Sequence, residues 1–383
     1  MKGIAERALS TANTAKQSCV ETGEKASEAL TKSGEAKSLA EEAKQAAMTA
    51  QQRSTGTSRS SSLNDLLKQL KLSVISVSTP FLVVAGKNQL KLKEGTHLSL
   101  KLTSEVAVVS YTEDYTITVP SSLAAGKDYY VYLAFDTRQS YKLVVSENST
   151  YPDGYTLDTS KKIGGFHTLC ADVGSIKDHP LSGYQAGDIL PHSVWCLNHC
   201  PHSSPEGMVY DSSQDLWVDI YLQSGTGIFT RSAYGIPITT GRPYTDHLSD
   251  MRRVKKSFLN DVEFASAMYG SNEKTNIQGK KAPTPKSSGG HVDTANRRMI
   301  SHIGCEDGCG YVSQFLSETF QVQIPSVAAG RTTFRAEMNV LVGGGIWSGG
   351  VSNGSLFRSG QYSRSFKGEM LGSRGCSRLR RFV

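Results

Sequence analysis

The chain has 383 residues, a net charge of +7 and a hydrophobic content of 38%, and 20% of its residues are charged. This length accommodates two or three domains, and 36 glycines together with many serines are typical of β-strands and loops. The sequence has no run of about 18 consecutive apolar residues and no apolar N-terminal core followed by a cleavage site. It therefore predicts neither a transmembrane helix nor a secretory signal.

The N-terminal residues 5–52 carry small side chains at an alternating spacing of three and four, which is the a/d pattern of a heptad repeat. An Ala/Ser/Thr seam buries little area at each position, so it does not hold chains together unaided. The pattern predicts a coiled-coil stalk over residues 1–52 whose association depends on other domains. The alternative is a single charged helix. Residues 53–65, rich in Gly, Ser and Thr, are predicted to be a linker.

From Leu66 onwards the apolar period changes to two, which indicates β-strands. Turn signals such as Ala85-Gly86-Lys87-Asn88 separate the runs. Short strands at this spacing, without intervening helices, predict an antiparallel β-sandwich over residues 66–165. The predicted strands lie at 72–77, 81–84, 89–93, 97–102, 115–119, 129–135 and 141–145.

After residue 166, turns, scattered aromatic residues and glycine runs dominate the sequence. One helix is predicted over residues 257–268. Its apolar face would consist of Phe258, Val262, Ala265 and Tyr269. The polar, turn-rich segment 270–294 that follows is predicted to be an exposed loop.

Three usual signatures of an enzyme are absent from the sequence: a P-loop, a dinucleotide fingerprint and His-Glu-x-x-His. Asp246, Asp250 and Glu263 occur singly on predicted surface, so the sequence does not identify a pair of carboxylates for glycoside hydrolysis. Two basic clusters, 251–256 and 377–383, lack interleaved aromatic residues and are interpreted as solvated surface. The residues give no support to an enzyme, and we expect no cofactor and no nucleic-acid partner.

Seven cysteines, at positions 19, 170, 196, 200, 305, 309 and 376, occur in a chain without a predicted signal. This favours reduced thiols in a protein made in the cytoplasm. One Cys-x3-Cys pair lies among histidines, so a zinc site of Cys196, His199, Cys200 and His202 is an alternative, although its spacing is irregular. Buried or surface thiols are the preferred interpretation. A disulfide between Cys305 and Cys309 is a further alternative for a particle that functions outside cells.

Several segments, in the same order along the chain, resemble one known family. They are KKIGGFH at 161–167, SVW at 193–195, SPEGMV at 204–209, LWVDIYL at 216–222, FLNDVEF at 258–264, CGYVSQFLSETF at 309–320 and GGIWSGGVSNGSLF at 344–357, with GSRG at 372–375 closing the last. The family is the major tropism determinants, trimeric receptor-binding proteins at the tips of phage tail fibres. The resemblance covers about residues 70–383, is most specific at 161–222 and 341–376, and leaves out the N-terminal helix.

The resemblance implies a C-type-lectin-like domain over 166–383, in which the segment between Gly-Gly-x-Trp and Gly-x-Arg displays receptor-binding side chains. We call residues 346–370 the display segment. Glycines allow tight turns, and the anchors of the frame are expected to be Trp347, Leu356 and Arg374. Tyr, Arg and Ser are common in recognition surfaces. The side chains expected near the receptor are those of Ile346, Ser348, Arg358, Gln361, Tyr362, Arg364, Phe366, Lys367, Glu369 and Met370.

Two families that share the lectin fold differ from this chain at their defining motifs. The calcium-dependent sugar-binding lectins use Glu-Pro-Asn or Gln-Pro-Asp with Trp-Asn-Asp, and none of these triplets occurs here. The formylglycine-generating enzymes place a reactive Cys pair before the closing Gly-x-Arg, whereas residues 341–371 contain no Cys and Cys376 follows the Arg. Both differences favour binding without a metal and without catalysis.

The sequence thus predicts a mixed, mainly β protein with an N-terminal α-helical coiled coil, a central β-sandwich and a C-terminal C-type-lectin-like α+β domain. The predicted function is that of a homotrimeric phage tail-fibre protein in the virion, made in the host cytoplasm. Its N-terminal helix would dock on tail or baseplate proteins, and its C-terminal domain would bind a protein or polysaccharide of the host surface. The alternatives are a sulfatase-maturation enzyme of the formylglycine-generating type and a purely structural tail component.

Overall fold

The computed structural model describes residues 72–76, 80–101, 106–135, 140–271, 273–274, 291–292, 298–328 and 331–380. The predicted stalk (1–52) and linker (53–65) lie outside the described residues, as do Cys19, most of the predicted loop 270–294 and the end of the basic tail. Residues 67–383 form one compact unit. The described part is mainly β, with two α-helices, and none of its helices is long and apolar enough to cross a membrane.

The first ten strands form three sheets with antiparallel pairing, in the orders β1-β4-β5, β2-β3-β6 and β10-β9-β7-β8. Their apolar side chains build one core, which includes Leu82, Leu90, Leu98 and Val131. The strands are β1 Leu72–Ser76, β2 Leu82–Gly86, β3 Gln89–Leu92, β4 Thr96–Lys101, β5 Val106–Tyr111, β6 Tyr115–Ile117, β7 Asp128–Phe135, β8 Tyr141–Ser146, β9 Ser160–His167 and β10 Trp195–Cys196.

Strand β7 is buried on both faces, although a strand of a sandwich usually has one face in water. Successive side chains of a strand point to opposite faces. Tyr129, Val131 and Leu133 accordingly join the core of the first sheets, whereas Tyr130 and Tyr132 pack in a cluster with Trp217 from later in the chain. The sheet also includes β10, so it continues beyond residue 165.

The remaining strands form two four-stranded sheets, β11-β12-β20-β15 and β18-β17-β16-β19, and the small pair β13-β14. The elements are β11 Met208–Asp211, β12 Leu216–Asp219, β13 Gln223–Ser224, β14 Arg231–Ser232, α1 Tyr244–Arg253, β15 Ser257–Phe258, α2 Asp261–Ala267, β16 Ser313–Ala328, β17 Arg331–Gly344, β18 Gly354–Ser363, β19 Leu371–Gly372 and β20 Gly375–Arg378. Short 3-10 turns occur at Pro191–Ser193 and Gly227–Phe229.

Helix α2 is shorter than predicted and presents a different face to the core. It begins after Asn260, whose side chain accepts from the N–H of Glu263 while the Glu263 carboxylate accepts from the N–H of Asn260. This capping box fixes the helix start at Asn260, and Ser257 and Phe258, which were predicted to be helical, pair with β20 as β15. The predicted face was wrong: Val262 and Tyr269 are each 64% exposed, and Glu263, Phe264 and Ala267 are buried instead.

Helix α1 was not predicted, because its buried face is partly polar. His247 and Asp250 lie on that face beside Tyr244 and Met251, so no apolar period marks the helix in the sequence. The expectation that Asp250 and Glu263 lie on the surface was also wrong. Asp250 pairs with Arg242, and Glu263 pairs with Arg378.

The basic cluster 251–256 is only partly solvated, contrary to prediction. Met251 is buried, and Lys256 donates to the buried Asp219 at 2.5 Å. Burial of a charged group is tolerated here because the two opposite charges are paired.

Candidate functional site

The display segment begins at a turn that only glycine can form. Gly344 and Gly345 have φ values of 88° and 81°, in the left-handed region. A Cβ at Gly345 would also collide with the side chain of Asn353, and one at Gly344 would press on the carbonyl oxygen of Gly308. The turn leads from β17 into residues 346–353 and then into β18, which carries the display segment along the edge of the sheet.

Arg374 is the anchor at the other end of the segment. It is 1% exposed, and its guanidinium donates to four oxygens from three parts of the chain. Nε donates to Gln314 Oε1 (2.9 Å), Nη1 to the carbonyls of Asp219 (2.7 Å) and Ile220 (2.5 Å), and Nη2 to the carbonyl of Glu306 (2.6 Å). One side chain thus ties the end of the display segment to β16, to β12 and to the chain preceding β16.

The other two expected anchors differ from each other. Trp347 is partly buried against a cluster that includes Leu222 and Tyr311, and its backbone N–H donates to the Tyr311 carbonyl at 3.0 Å. Leu356 is 77% exposed, which contradicts its expected place in the core. Leu356 follows Ser355, whose side chain is held inward by Glu273, and alternation along β18 therefore turns Leu356 towards solvent.

The side chains expected near the receptor fall into two groups. Ser348, Gln361, Phe366, Lys367 and Glu369 are exposed. Ile346, Arg358, Tyr362, Arg364 and Met370 are half-buried.

Two of the half-buried side chains support the loop that follows β18. The rings of Tyr362 and Phe366 lie 5.1 Å apart, and the Tyr362 hydroxyl donates to the Met370 sulfur at 3.6 Å. Tyr362 and Met370 pack against a buried cluster that includes Leu371. Residues 364–370 are therefore held on both sides by aromatic and sulfur contacts, which limits the conformational freedom of the exposed side chains between them.

Arg358 holds the frame and is not available as a receptor contact in the way the sequence predicts. Its guanidinium pairs with the Asp261 carboxylate, donates to the Asp261 carbonyl at 2.8 Å and lies over the Phe264 ring at 4.9 Å. It also donates to the carbonyls of Ser355 and Phe357. The reason is the position of α2, which sequence reasoning could not place beside β18.

The described cysteines form neither the zinc site nor the disulfide that were considered as alternatives. All six are buried free thiols, including Cys305 and Cys309. Burial raises the pKa of Cys196 to about 12, and the Sγ atoms of Cys196 and Cys200 donate to Asn198 and to the Leu197 carbonyl. The four proposed ligands do not converge because His199 instead packs against the rings of Tyr210 and Trp217, at 4.4 Å and 5.4 Å.

One cluster of candidate ligands does occur among the residues that the structure describes. The ligand atoms of Cys170, His291 and Glu306 lie within 4.8 Å of one another. Arg298 pairs with Glu306 through both carboxylate oxygens and therefore occupies the position that a cation would need. The geometry fits an ion-pair network better than a metal centre.

Sequence reasoning missed a two-stranded ribbon, which we define as residues 320–328 of β16 and 331–338 of β17. Only these two strands pair over this stretch of the described residues, because β18 joins β17 at Asn339 and β19 joins β16 at Ser313. Phe320 and Ile324 are exposed on one face, and Val327, Phe334 and Met338 on the other. The alternating apolar residues of 320–327 were the available signal.

Comparisons with known proteins agree with these features. Residues 81–196 match the family model of the Mtd second domain, and the match ends with β10. The chain is 27% identical over 300 residues to the tail fiber receptor-binding protein of Bordetella phage BPP-1, covering 71% of this chain and 76% of that relative.

Solved structures show the same fold. The Major Tropism Determinant U1 variant matches with a TM-score of 0.67 at 22% identity, over 81% of this chain and 86% of that one. The P3c variant matches with a TM-score of 0.67 at 23% identity, over 82% and 87%. The expected lectin-like architecture fits these neighbours. The chain thus resembles the major tropism determinants both in the motifs that its sequence carries and in its fold.

Proposed function

We propose that this chain is a phage tail-fibre protein that mediates adsorption to the host through the exposed side chains of the display segment. The observation that carries the proposal is the rigid mounting of that segment between the Gly344-Gly345 turn and buried Arg374. The exposed side chains are then presented at low entropic cost. The relative from phage BPP-1, whose name describes receptor binding in a tail fibre, supports the same role.

The domain arrangement in this proposal follows the sequence. Residues 1–52 form the stalk that docks on the tail or baseplate, 53–65 the linker, 66–165 the central sandwich and 166–383 the lectin-like receptor-binding domain. The protein is made in the host cytoplasm and acts in the virion. Several weak sites on each particle provide avidity without strong individual contacts.

Recognition accounts for the site better than catalysis does. The exposed side chains of the display segment belong to Ser, Gln, Phe, Lys and Glu, which supply contact area and hydrogen bonds. The alternative of a formylglycine-generating enzyme requires reactive thiols. Burial raises the pKa of Cys305 to about 12 and also raises that of Cys309, so both thiols are kept protonated.

The triple variant Gln361→Ala/Lys367→Ala/Glu369→Ala tests the proposed site. We expect adsorption of phage carrying it to slow at least about tenfold, because three interface side chains lost together remove on the order of 1.4 kcal/mol or more. The measurement is the adsorption rate constant on the natural host. The matched control is Gln185→Ala/Lys177→Ala/Asp158→Ala, which removes the same kinds of exposed side chain elsewhere. Unchanged adsorption of the first variant would favour a purely structural tail component.

The ribbon supports a homotrimer as the assembly state. A two-stranded hairpin is marginally stable alone in water, and exposed apolar side chains on both faces call for a covering surface. Association with the other subunits would supply that surface, together with the predicted stalk.

Light scattering on the full-length chain tests the assembly. We expect three times the chain mass of 41.4 kDa. Val327→Ser/Phe334→Ser is expected to raise the dissociation constant at least about tenfold through lost apolar burial, and Thr332→Ser/Thr333→Ser serves as control. A wild-type monomer at micromolar concentration would exclude the trimer.

A further inference from the structure

A groove rich in arginine lies beside the display segment, between α1 and the loop after β18. Its volume is about 470 Å³. Leu248 and Ser249 lie three and four residues after Thr245, and Arg252 lies four and three residues after them, so all four share one face of α1. The lining residues are Thr245, Leu248, Ser249, Arg252, Arg253 and Arg364.

Arg364 is brought to this helix face by the sheet. Its N–H donates to the Met338 carbonyl at 3.0 Å, and its guanidinium lies over the Tyr244 ring at 5.6 Å. Its Nε atom is buried and has no hydrogen-bond partner in the described part of the chain. A buried donor without an acceptor is costly, so the described protein alone leaves this guanidinium incompletely satisfied.

The groove carries three positive charges that the described residues do not neutralise. Among the described residues, none forms an ion pair with Arg252, Arg253 or Arg364. The acids of α1, Asp246 and Asp250, both pair with Arg242. Like charges gathered in a concave site repel one another and raise the local concentration of anions.

A second, smaller groove adjoins the first, because Arg364 lines both. It has a volume of about 290 Å³ and includes Arg335, Ser363 and Ser365. Its one carboxylate, Glu337, lies 3.5 Å from Arg335. The two grooves therefore share Arg364, and in the second groove the charge of Arg335 is offset by Glu337, so the excess positive charge lies at Arg252, Arg253 and Arg364.

Helix capping explains part of the cluster. Cations at a helix C-terminus interact favourably with the helix dipole, which accounts for Arg252 and Arg253 at the end of α1. The helix dipole does not account for Arg364, which belongs to the loop after β18 and lines the same groove. The hydroxyls of Thr245 and Ser249 complete a donor set of the kind that holds phosphate or carboxylate oxygens.

We propose that this groove binds the phosphate or carboxylate groups of an anionic polysaccharide on the host surface. The proposal rests on the proposed function and names the chemical class of its receptor. Guanidinium groups bind these oxyanions in a bidentate manner, and a repeating anionic chain would contact Arg252, Arg253 and Arg364 together.

Binding of the full-length protein to phosphorylated dextran and to unmodified dextran tests the proposal. We expect binding to the phosphorylated polymer only, weakened by added salt as charge pairing is screened. Arg364→Gln and the double variant Arg252→Gln/Arg253→Gln are each expected to weaken it at least about tenfold. Arg231→Gln, at an exposed position outside the groove, the ribbon and the display segment, is the matched control and should stay within about twofold.

Several outcomes would overturn the assignment. They are equal binding to both polymers, no binding to either, or an effect of Arg231→Gln as large as that of the groove variants. The double variant changes exposed residues only, so it decides the question even if Arg364→Gln fails to fold. If phosphorylated dextran does not bind but the display-segment triple variant still slows adsorption, the anion site is excluded and the receptor-binding function stands.

Discussion

Replacing Arg374 with Met is expected to lower the free energy of unfolding by about 3–5 kcal/mol. The guanidinium satisfies four buried oxygens, on Gln314, Asp219, Ile220 and Glu306, and Met offers none of the lost donors. Each buried acceptor left without a partner adds a desolvation penalty. Since Arg374 closes the display segment, we also expect the exposed side chains of residues 346–370 to lose their fixed geometry.

Denaturant unfolding of wild type, Arg374→Met and Arg374→Lys measures this effect. Lys keeps the charge but lacks the planar fork, so it cannot reach all four oxygens and should recover only part of the stability. Arg380→Met, at an exposed position two residues beyond β20, is the matched control and is expected to change the stability by less than about 0.5 kcal/mol. A similar loss in Arg380→Met, or none in Arg374→Met, would contradict the anchoring role.

Acid is expected to destabilise the protein through Glu306. Burial of this carboxyl raises its pKa, but the charge of Arg298 and hydrogen bonds from Arg298 and His291 outweigh burial and lower the pKa from 4.5 to about 2. A carboxyl with a depressed folded-state pKa stabilises the protein above its unfolded pKa. This contribution, on the order of 3 kcal/mol, is therefore present above pH 4.5 and is lost as the pH falls towards 2.

The variant Glu306→Gln isolates this contribution from other acids. At pH 7 we expect it to be less stable than wild type by about 3–5 kcal/mol, because it removes the carboxylate charge that pairs with the buried Arg298 guanidinium. The difference between wild type and variant should shrink by roughly 1.4 kcal/mol for each pH unit below 4.5. Urea unfolding at pH 7, 5, 4 and 3.5 measures it, with the exposed Asp158→Asn as control. A difference that stays constant with pH would show that Glu306 is not the titrating group.

The hydrogen bonds of Arg374 and the ion pair of Arg298 meet at Glu306, which links the stability of the fold to the proposed function. The Glu306 carbonyl accepts from Arg374, and its carboxylate accepts from Arg298 and from the Cys170 thiol. The chain segment preceding β16 therefore holds Arg374, the residue that closes the display segment. Substitution of Glu306 or Arg298 is therefore expected to disturb the display segment through this contact.

Much of the architecture follows from local sequence patterns. The period-two runs of residues 72–145 predict strands, because a β-strand is the regular structure in which successive side chains point to opposite faces. The glycines before Trp347 indicate a turn, and two of them do adopt positive φ. Motifs such as KKIGGFH and the closing Gly-x-Arg were enough to indicate the family resemblance.

Sequence patterns could not predict which polar side chains are buried. Helix α1 buries His247 and Asp250, so its period is invisible to an apolar count. Glu263 was expected on the surface and lies inside, paired with Arg378, which is 115 residues away. Such pairings form only when distant segments meet.

The sequence by itself determined most strands of residues 72–145 and the turn glycines, because these depend on neighbours within a few residues, and the family resemblance indicated the two ends of the display segment. Tertiary structure decided which side chains of the display segment pack against the rest of the protein and which remain exposed. Arg358 is held by Asp261, 97 residues away, whereas Leu356, expected in the core, faces solvent. The same long-range packing brought Arg364 to the arginines of α1, since a charge cluster assembled from separate elements leaves no pattern in the linear sequence.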